Sequence, residues 1–246
     1  MSISKQVHCD FANYAPVQVL STGGAAAGGD NTVEMVQAGP YTFEVRFEQA
    51  CTDITFTRTL DANTVEGWLI PNDKTDNEGF EMTMGILASA DRIGGFKIGT
   101  DPAFFAEIKF GIPDVSEYDV CAFGFRKAGA YVDAINTPAA LYAAYDDKAL
   151  VSVEAADYHI VNSLNGSDEQ TDIAETNASD DDTVTIRIDV SAAGVVTYTV
   201  NSTAYTPTTA LTFDSTDIVI PTLIVTRGAI LTDDPLVLKH WACGLA

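Results

Sequence analysis

Hydrophobic and polar residues alternate along most of this chain with a period of two. Tyr41, Phe43, Val45 and Phe47 alternate with polar neighbours, and Ile54, Phe56 and Leu60 continue the pattern. Successive side chains on a strand point to opposite faces, so this alternation predicts half-buried β-strands. The clearest case comes late. In TVTIRIDV, Val184, Ile186, Ile188 and Val190 share one face, while in GVVTYTV, Val196, Tyr198 and Val200 share another. The short link Ser191-Ala192-Ala193-Gly194 joins them, which predicts a β-hairpin. Further strands are predicted over 104–112, 120–125 and 236–243. Residues 218–225 are apolar on both faces except for Pro221, which cannot donate to a ladder and is therefore expected at a bulge or an edge. One helix is predicted, from the capping Thr137 and Pro138 through Ala144, with two or three turns lying over one edge of the sheets.

Strands at this spacing, with no internal repeat or heptad, predict an all-β antiparallel sandwich, most simply one domain. Residues 21–30, STGGAAAGGD, are too poor in side chains to pack and read as a flexible loop. They set off residues 1–30 as a first strand or an arm reaching a neighbour, ahead of a jelly-roll domain over 31–246. The alternation at both ends predicts closure of the fold by Val7, His8, Cys9, Asp10 and Phe11 lying beside residues 239–243. Trp241 would then be buried, on one face with Val237 and Cys243.

Composition narrows the partners. Of the residues, 46% are hydrophobic, enough for a sizeable core, and 13 Lys+Arg against 35 Asp+Glu give a net charge of −22. The few cations are scattered, so neither nucleic-acid phosphate nor an anionic membrane is an expected partner. The excess of acid reads as a solvated, self-repelling exterior. MSISKQVHCDFANY lacks the apolar core of a secretory signal, and no stretch reaches the roughly 20 apolar residues of a membrane span, so a cytosolic site of assembly is expected. Cys9, Cys51, Cys121 and Cys243 lie far apart with no CxxC pair, and buried free thiols are expected.

FFAEIKFGIPDVSEYDVCAFGFRKAGAY resembles the paired mid-domain strands of concanavalin A-like lectin/glucanase domains, in the version found in tailed-phage structural proteins. DDTVTIRIDVSAAGVVTYTVN resembles the hairpin these share with laminin G modules, and IVIPTLIVTRGAILTDDPLVLKHWACG resembles their closing strands. The resemblance spans residues 100–246 and implies a concanavalin A-like jelly roll. The glucanase branch of the family carries a Glu-x-Asp-x-x-Glu pattern, because glycoside cleavage needs two facing carboxylates. Here Glu107-Ile108-Lys109 puts a lysine where the second acid would stand, so no catalytic residue is expected, and Glu107 and Lys109 read as a solvent-facing pair. His8, His159 and His240 sit in separate segments without a GxSxG or HExxH motif.

Asp180-Asp181-Asp182, Asp146-Asp147 and Asp233-Asp234 offer the hard oxygens that suit calcium. Their spacing matches no defined loop and adjacent aspartates also form turns, so no cofactor or metal site is expected. Trp68, Tyr131, Tyr142 and Tyr145 are the candidates for stacking on a sugar, against the alternative that each packs in the core or at an edge. The resemblance leads to a non-enzymatic virion protein of a tailed phage, a capsid decoration or head accessory assembled in host cytoplasm. Its partners would be other virion proteins such as the major capsid protein, together with further copies of itself. The alternatives are a glycan-binding adhesion module for host surface polysaccharide and, third, a polysaccharide-cleaving enzyme.

Overall fold

The computed structural model describes residues 6–22, 33–47, 57–59, 66–70, 79–84, 95–129, 131–132, 135, 137–227 and 236–246. In chain order the strands are β1 (Gln6–Asp10), β2 (Pro16–Thr22), β3 (Val33–Ala38), β4 (Tyr41–Phe47), β5 (Thr57–Thr59) and β6 (Gly67–Ile70). They continue with β7 (Gly79–Met84), β8 (Phe96–Lys97), β9 (Phe104–Ile112) and β10 (Tyr118–Lys127). A helix, α1 (Pro138–Ala143), precedes β11 (Lys148–Glu154), β12 (Asp157–Leu164), β13 (Ser167–Asn177) and β14 (Asp182–Val190). The last four are β15 (Val196–Val200), β16 (Thr203–Tyr205), β17 (Ile218–Arg227) and β18 (Leu236–Leu245).

These strands form two antiparallel sheets packed face to face. The smaller runs β16-β15-β14-β9-β18-β6-β5 with β1 also on β18, and the larger runs β13-β12-β11-β10-β17-β7-β4-β3-β2 with β8 also on β17. The alternation explains the core. In β14, Val184, Ile186, Ile188 and Val190 are buried, while Thr183, Thr185, Arg187 and Asp189 between them are half-buried on the outer face. The predicted hairpin forms, with Ile186 opposite Val200 and Val190 opposite Val196. Its link turns at Gly194, whose φ of 88° is a conformation that favours glycine. Phe123, Phe125 and Trp241 meet Phe43, Phe96 and Phe104 between the sheets.

The chain closes through its first and last strands, as the end patterns predict. Cys9 faces Trp241 and Val7 faces Cys243 across an antiparallel pair. Trp241 is buried against the rings of Phe43 and Phe123 at 5.4 and 5.0 Å. Its companions differ from the expectation, because the register of β18 against β9 shifts between Leu238 and His240. That bulge moves one residue out of phase. Leu236 and Leu238, and not Val237, therefore join Trp241 and Cys243 in the main core.

Pro221 is not on an edge strand and the register beside it is regular, but it stands at a local break in one ladder, an edge-like position. It lies in β17, deep in the larger sheet, opposite Phe125 of β10. On the other side of β17, β8 pairs only with Ile218 and Val219 and β7 begins at Thr222. The proline thus falls where that ladder is interrupted among the described residues, and its missing N–H has no ladder bond to break. The helix forms where predicted, with the Thr137 hydroxyl accepting from the Ala140 N–H at 3.2 Å. It is only six residues long. It lies as expected towards one edge, on the outer face of the larger sheet against β12 and the edge strand β13, where Leu141 and Ala144 cover Val120, Ala122, Leu150, Val161 and Ile224. That cover accounts for the apolar residues on both faces of β10 and β17. Cys9, Cys121 and Cys243 are buried free thiols. Cys51, Ile54, Phe56, Leu60, residues 23–30 and Asp233-Asp234 lie outside the described residues.

Candidate functional site

The four aromatic residues singled out in the sequence part company. Trp68 is fully buried in the core, 4.7 Å from the Phe11 ring, and its indole N–H donates to the Tyr14 carbonyl at 2.7 Å. It has no face open to a sugar, because β6 points it inward. Tyr131, Tyr142 and Tyr145 belong instead to the outer face of the larger sheet, on or beside the segment that carries α1.

That face holds a buried ion pair. In β7, inward Phe80 and Met82 turn Glu81 outward, and in β10 inward Phe125 does the same for Arg126. Arg126 Nε donates to Glu81 Oε1, and Thr222 of β17 donates its hydroxyl to the same oxygen at 2.7 Å. The Tyr145 hydroxyl donates to Glu81 Oε2, and the Arg126 guanidinium stacks on the Tyr145 ring at 4.3 Å. Burial, the largest effect, lowers the Arg126 pKa, but Glu81 together with Tyr145 and Glu44 outweighs it and the net direction is up. Burial, then the charge of Glu81, pushes the Tyr145 phenol up. Tyr145 has a φ of 60°, a backbone conformation that costs a non-glycine residue about 1–2 kcal/mol. Arg126 Nη2 and Thr83 Oγ1 are buried on this face without a hydrogen-bond partner. Beside this pair, Arg46 bonds Glu44 at 2.7 Å and lies 5.4 Å from the centre of the Tyr131 ring.

A second polar group sits on the same face, further along the sheet. Tyr142 donates its hydroxyl to the Glu154 carboxylate at 2.6–2.7 Å, and Ser152 donates to Glu154 Oε1 at 2.6 Å. His159 Nε2 lies 3.8 Å from Glu154, while its Nδ1 meets Asp172 Oδ1 at 2.9 Å and Gln170 Nε2 at 2.8 Å. The cluster grades from buried Ser152 to Asp172, which is 75% exposed. Lys148 joins the two groups. Its buried ammonium donates to the carbonyls of Tyr142, Ala144 and Tyr145 at 2.6–3.3 Å and to Asp168 at 2.8 Å. Burial lowers its pKa, and the Asp168 carboxylate opposes that. A cation at the end of a helix satisfies carbonyls that have no intrahelical partner, so Lys148 locks α1 and Tyr145 in place.

The chain aligns over 80% of its length with 92% of the carbohydrate recognition domain of Emp47p, at 15% identity and a TM-score of 0.50. The fold is a lectin-like jelly roll. Looser likenesses are to the carbohydrate recognition domain of Emp46p, at 12% identity, 78% and 87% coverage and a TM-score of 0.49, and to a botulinum neurotoxin DC binding domain. The latter is 8% identical with a TM-score of 0.47, and the match covers 92% of this chain but 48% of that one. No family model matches the chain. Nor does any curated protein sequence. None of these likenesses carries the tailed-phage part of the sequence resemblance.

The other candidates in this jelly roll have ordinary partners. Asp180 accepts from the Val115 N–H at 3.0 Å and Asp182 from the Ser179 N–H at 2.8 Å. Asp147 accepts from Lys127 and from the Asn165 N–H, both at 2.8 Å. Glu107 reaches Arg187 at 3.4 Å on the outer face of the smaller sheet, with Lys109 exposed beside it. Sequence reasoning missed Glu81, Arg126, Glu154, His159, Gln170 and Asp172 as neighbours. A signal was present in two of them: Glu81 interrupts the apolar run GFEMTM, and Arg126 follows CAFGF directly. A charge inside an otherwise apolar strand has to find a partner or leave the core.

Proposed function

We propose that this chain is a glycan-binding module that recognises carbohydrate, without cleaving it, on the outer face of its larger sheet. The observation that carries this reading is the cluster of Tyr142, Glu154, His159, Gln170 and Asp172. It sets an aromatic side chain beside carboxylates, an amide and an imidazole along a gradient from buried to open. Sugars present hydroxyls that donate to carboxylates and apolar ring faces that lie on aromatic rings. The likeness to a carbohydrate recognition domain supports the fold this reading needs, and the chemistry comes from the residues.

A glycan array followed by titration calorimetry tests it. Charge-assisted hydrogen bonds are worth about 1.5–3 kcal/mol, so Glu154→Gln should weaken binding of the best glycan by about 10- to 100-fold. A wild-type chain that binds no glycan overturns the reading. Incubation with polysaccharides should release no new reducing ends, and release would overturn the non-enzymatic half. The placement on a tailed-phage particle, with virion proteins as partners, remains a proposal that mass spectrometry of purified particles would test.

A further inference from the structure

The outer face of the smaller sheet carries a histidine pair that glycan binding leaves unused. Where β1 pairs with β18, His8 stands opposite Ala242 and Asp10 opposite His240. Cys9, Trp241 and Cys243 turn into the core, so alternation sends His8 and His240 to the solvent side, His8 exposed and His240 half-buried. They are diagonal neighbours across the seam, with ring centres 6.0 Å apart and planes tilted by 35°. Ala242, whose side chain is a single methyl, stands between His8 and Glu107 in the row across β1, β18 and β9.

A zinc ion binds an imidazole nitrogen at about 2.0–2.1 Å, so two rings with centres this close can share one ion once a nitrogen of each turns towards it. We infer that His8 and His240 form a two-histidine site for a divalent transition-metal ion that clips the first strand of the fold to the last. Imidazole selects copper, nickel and zinc, whereas magnesium and calcium prefer oxygen. Among the described residues no three His, Cys, Asp or Glu side chains are grouped to hold a metal ion. Water therefore completes the shell. Asp10 is committed elsewhere, accepting from the Ala12 N–H at 3.1 Å and the Asn13 amide at 2.9 Å. Across β18 from His240 stands Lys109, whose charge opposes a cation there, while Glu107 two residues before it on β9 offsets that charge. The net charge of −22 draws cations to the surface without choosing among them, so selectivity falls to the imidazoles.

An ion that binds the folded chain and bridges β1 to β18 raises the melting temperature. Calorimetric melts of the full chain in micromolar Zn²⁺, Ni²⁺ or Cu²⁺, set against the same concentrations of Mg²⁺, read this directly, and titration calorimetry gives the stoichiometry. The expected result is a saturable upward shift with one ion per chain, lost in His8→Ala and in His240→Ala. His8 is on the surface, so its variant is expected to fold, and His8→Gln, which keeps a polar side chain, is measured beside it. An equal shift with magnesium overturns the inference. So does a zinc shift that survives in the His8 variants, or no shift in millimolar zinc.

Discussion

Trp241 sits in the core between Phe43 and Phe123 with edge-on rings. Trp241→Ala should cost about 3–5 kcal/mol, read as a fall in the denaturant midpoint, because a site held by strands on both sides cannot collapse onto the cavity. Glu107→Gln should leave glycan binding unchanged, since Glu107 lies on the opposite outer face; a loss on the same array would relocate the site. The buried acids without charge set an alkaline limit. Burial raises the Tyr158 phenol and the Cys9 and Cys243 thiols to about 12, and burial followed by Glu154 raises Tyr142. These groups hold their protons longer folded than unfolded. Stability is therefore fully present below about pH 9 and falls as pH climbs towards 12, because the unfolded chain then binds fewer protons. Melts between pH 8 and pH 12 check this, and a flat profile would contradict it.

At the scale of elements, period two was enough to find β9, β14, β15 and the closing pair, because each buries one face against the other sheet. What it did not carry was phase and cover. The bulge after Leu238 exchanges Val237 for Leu238 in the core, and nothing in PLVLKHWACG marks the extra residue. The Glu81, Arg126 and Thr222 network joins β7, β10 and β17, whose juxtaposition depends on sheet order and register, and those are long-range properties that local alternation does not encode. Tyr131, Tyr142 and Tyr145 were named as candidates through residue type alone, as was Trp68, for which the core packing weighed beside stacking is what the fold shows. Deleting residues 1–11 removes the strand that covers residues 240–244 and the Phe11 ring against Trp68. The truncated chain should melt well below the full chain, and an unchanged melt would mean that β1 is dispensable.

Taken as a whole molecule, a chain with 35 acids and 13 strong bases repels polyanions at distance. Neutral glycans should bind better than uronic-acid polymers of similar size at low salt, and the gap should narrow as salt screens the field. Stronger binding of the polyanion at low salt would contradict the electrostatic argument. The seam between β1 and β18 also bears on how the protein is made. β18 lies between β9 on one side and β1 with β6 on the other, so the smaller sheet has a gap in its middle until residues 236–245 arrive. During synthesis β1, β6 and β9 leave the ribosome long before the strand that joins them, and they wait as unpaired edges. The smaller sheet must wait for that strand and, with contacts this distant in sequence, it assembles slowly, leaving the nascent chain dependent on whatever shields those edges in the meantime.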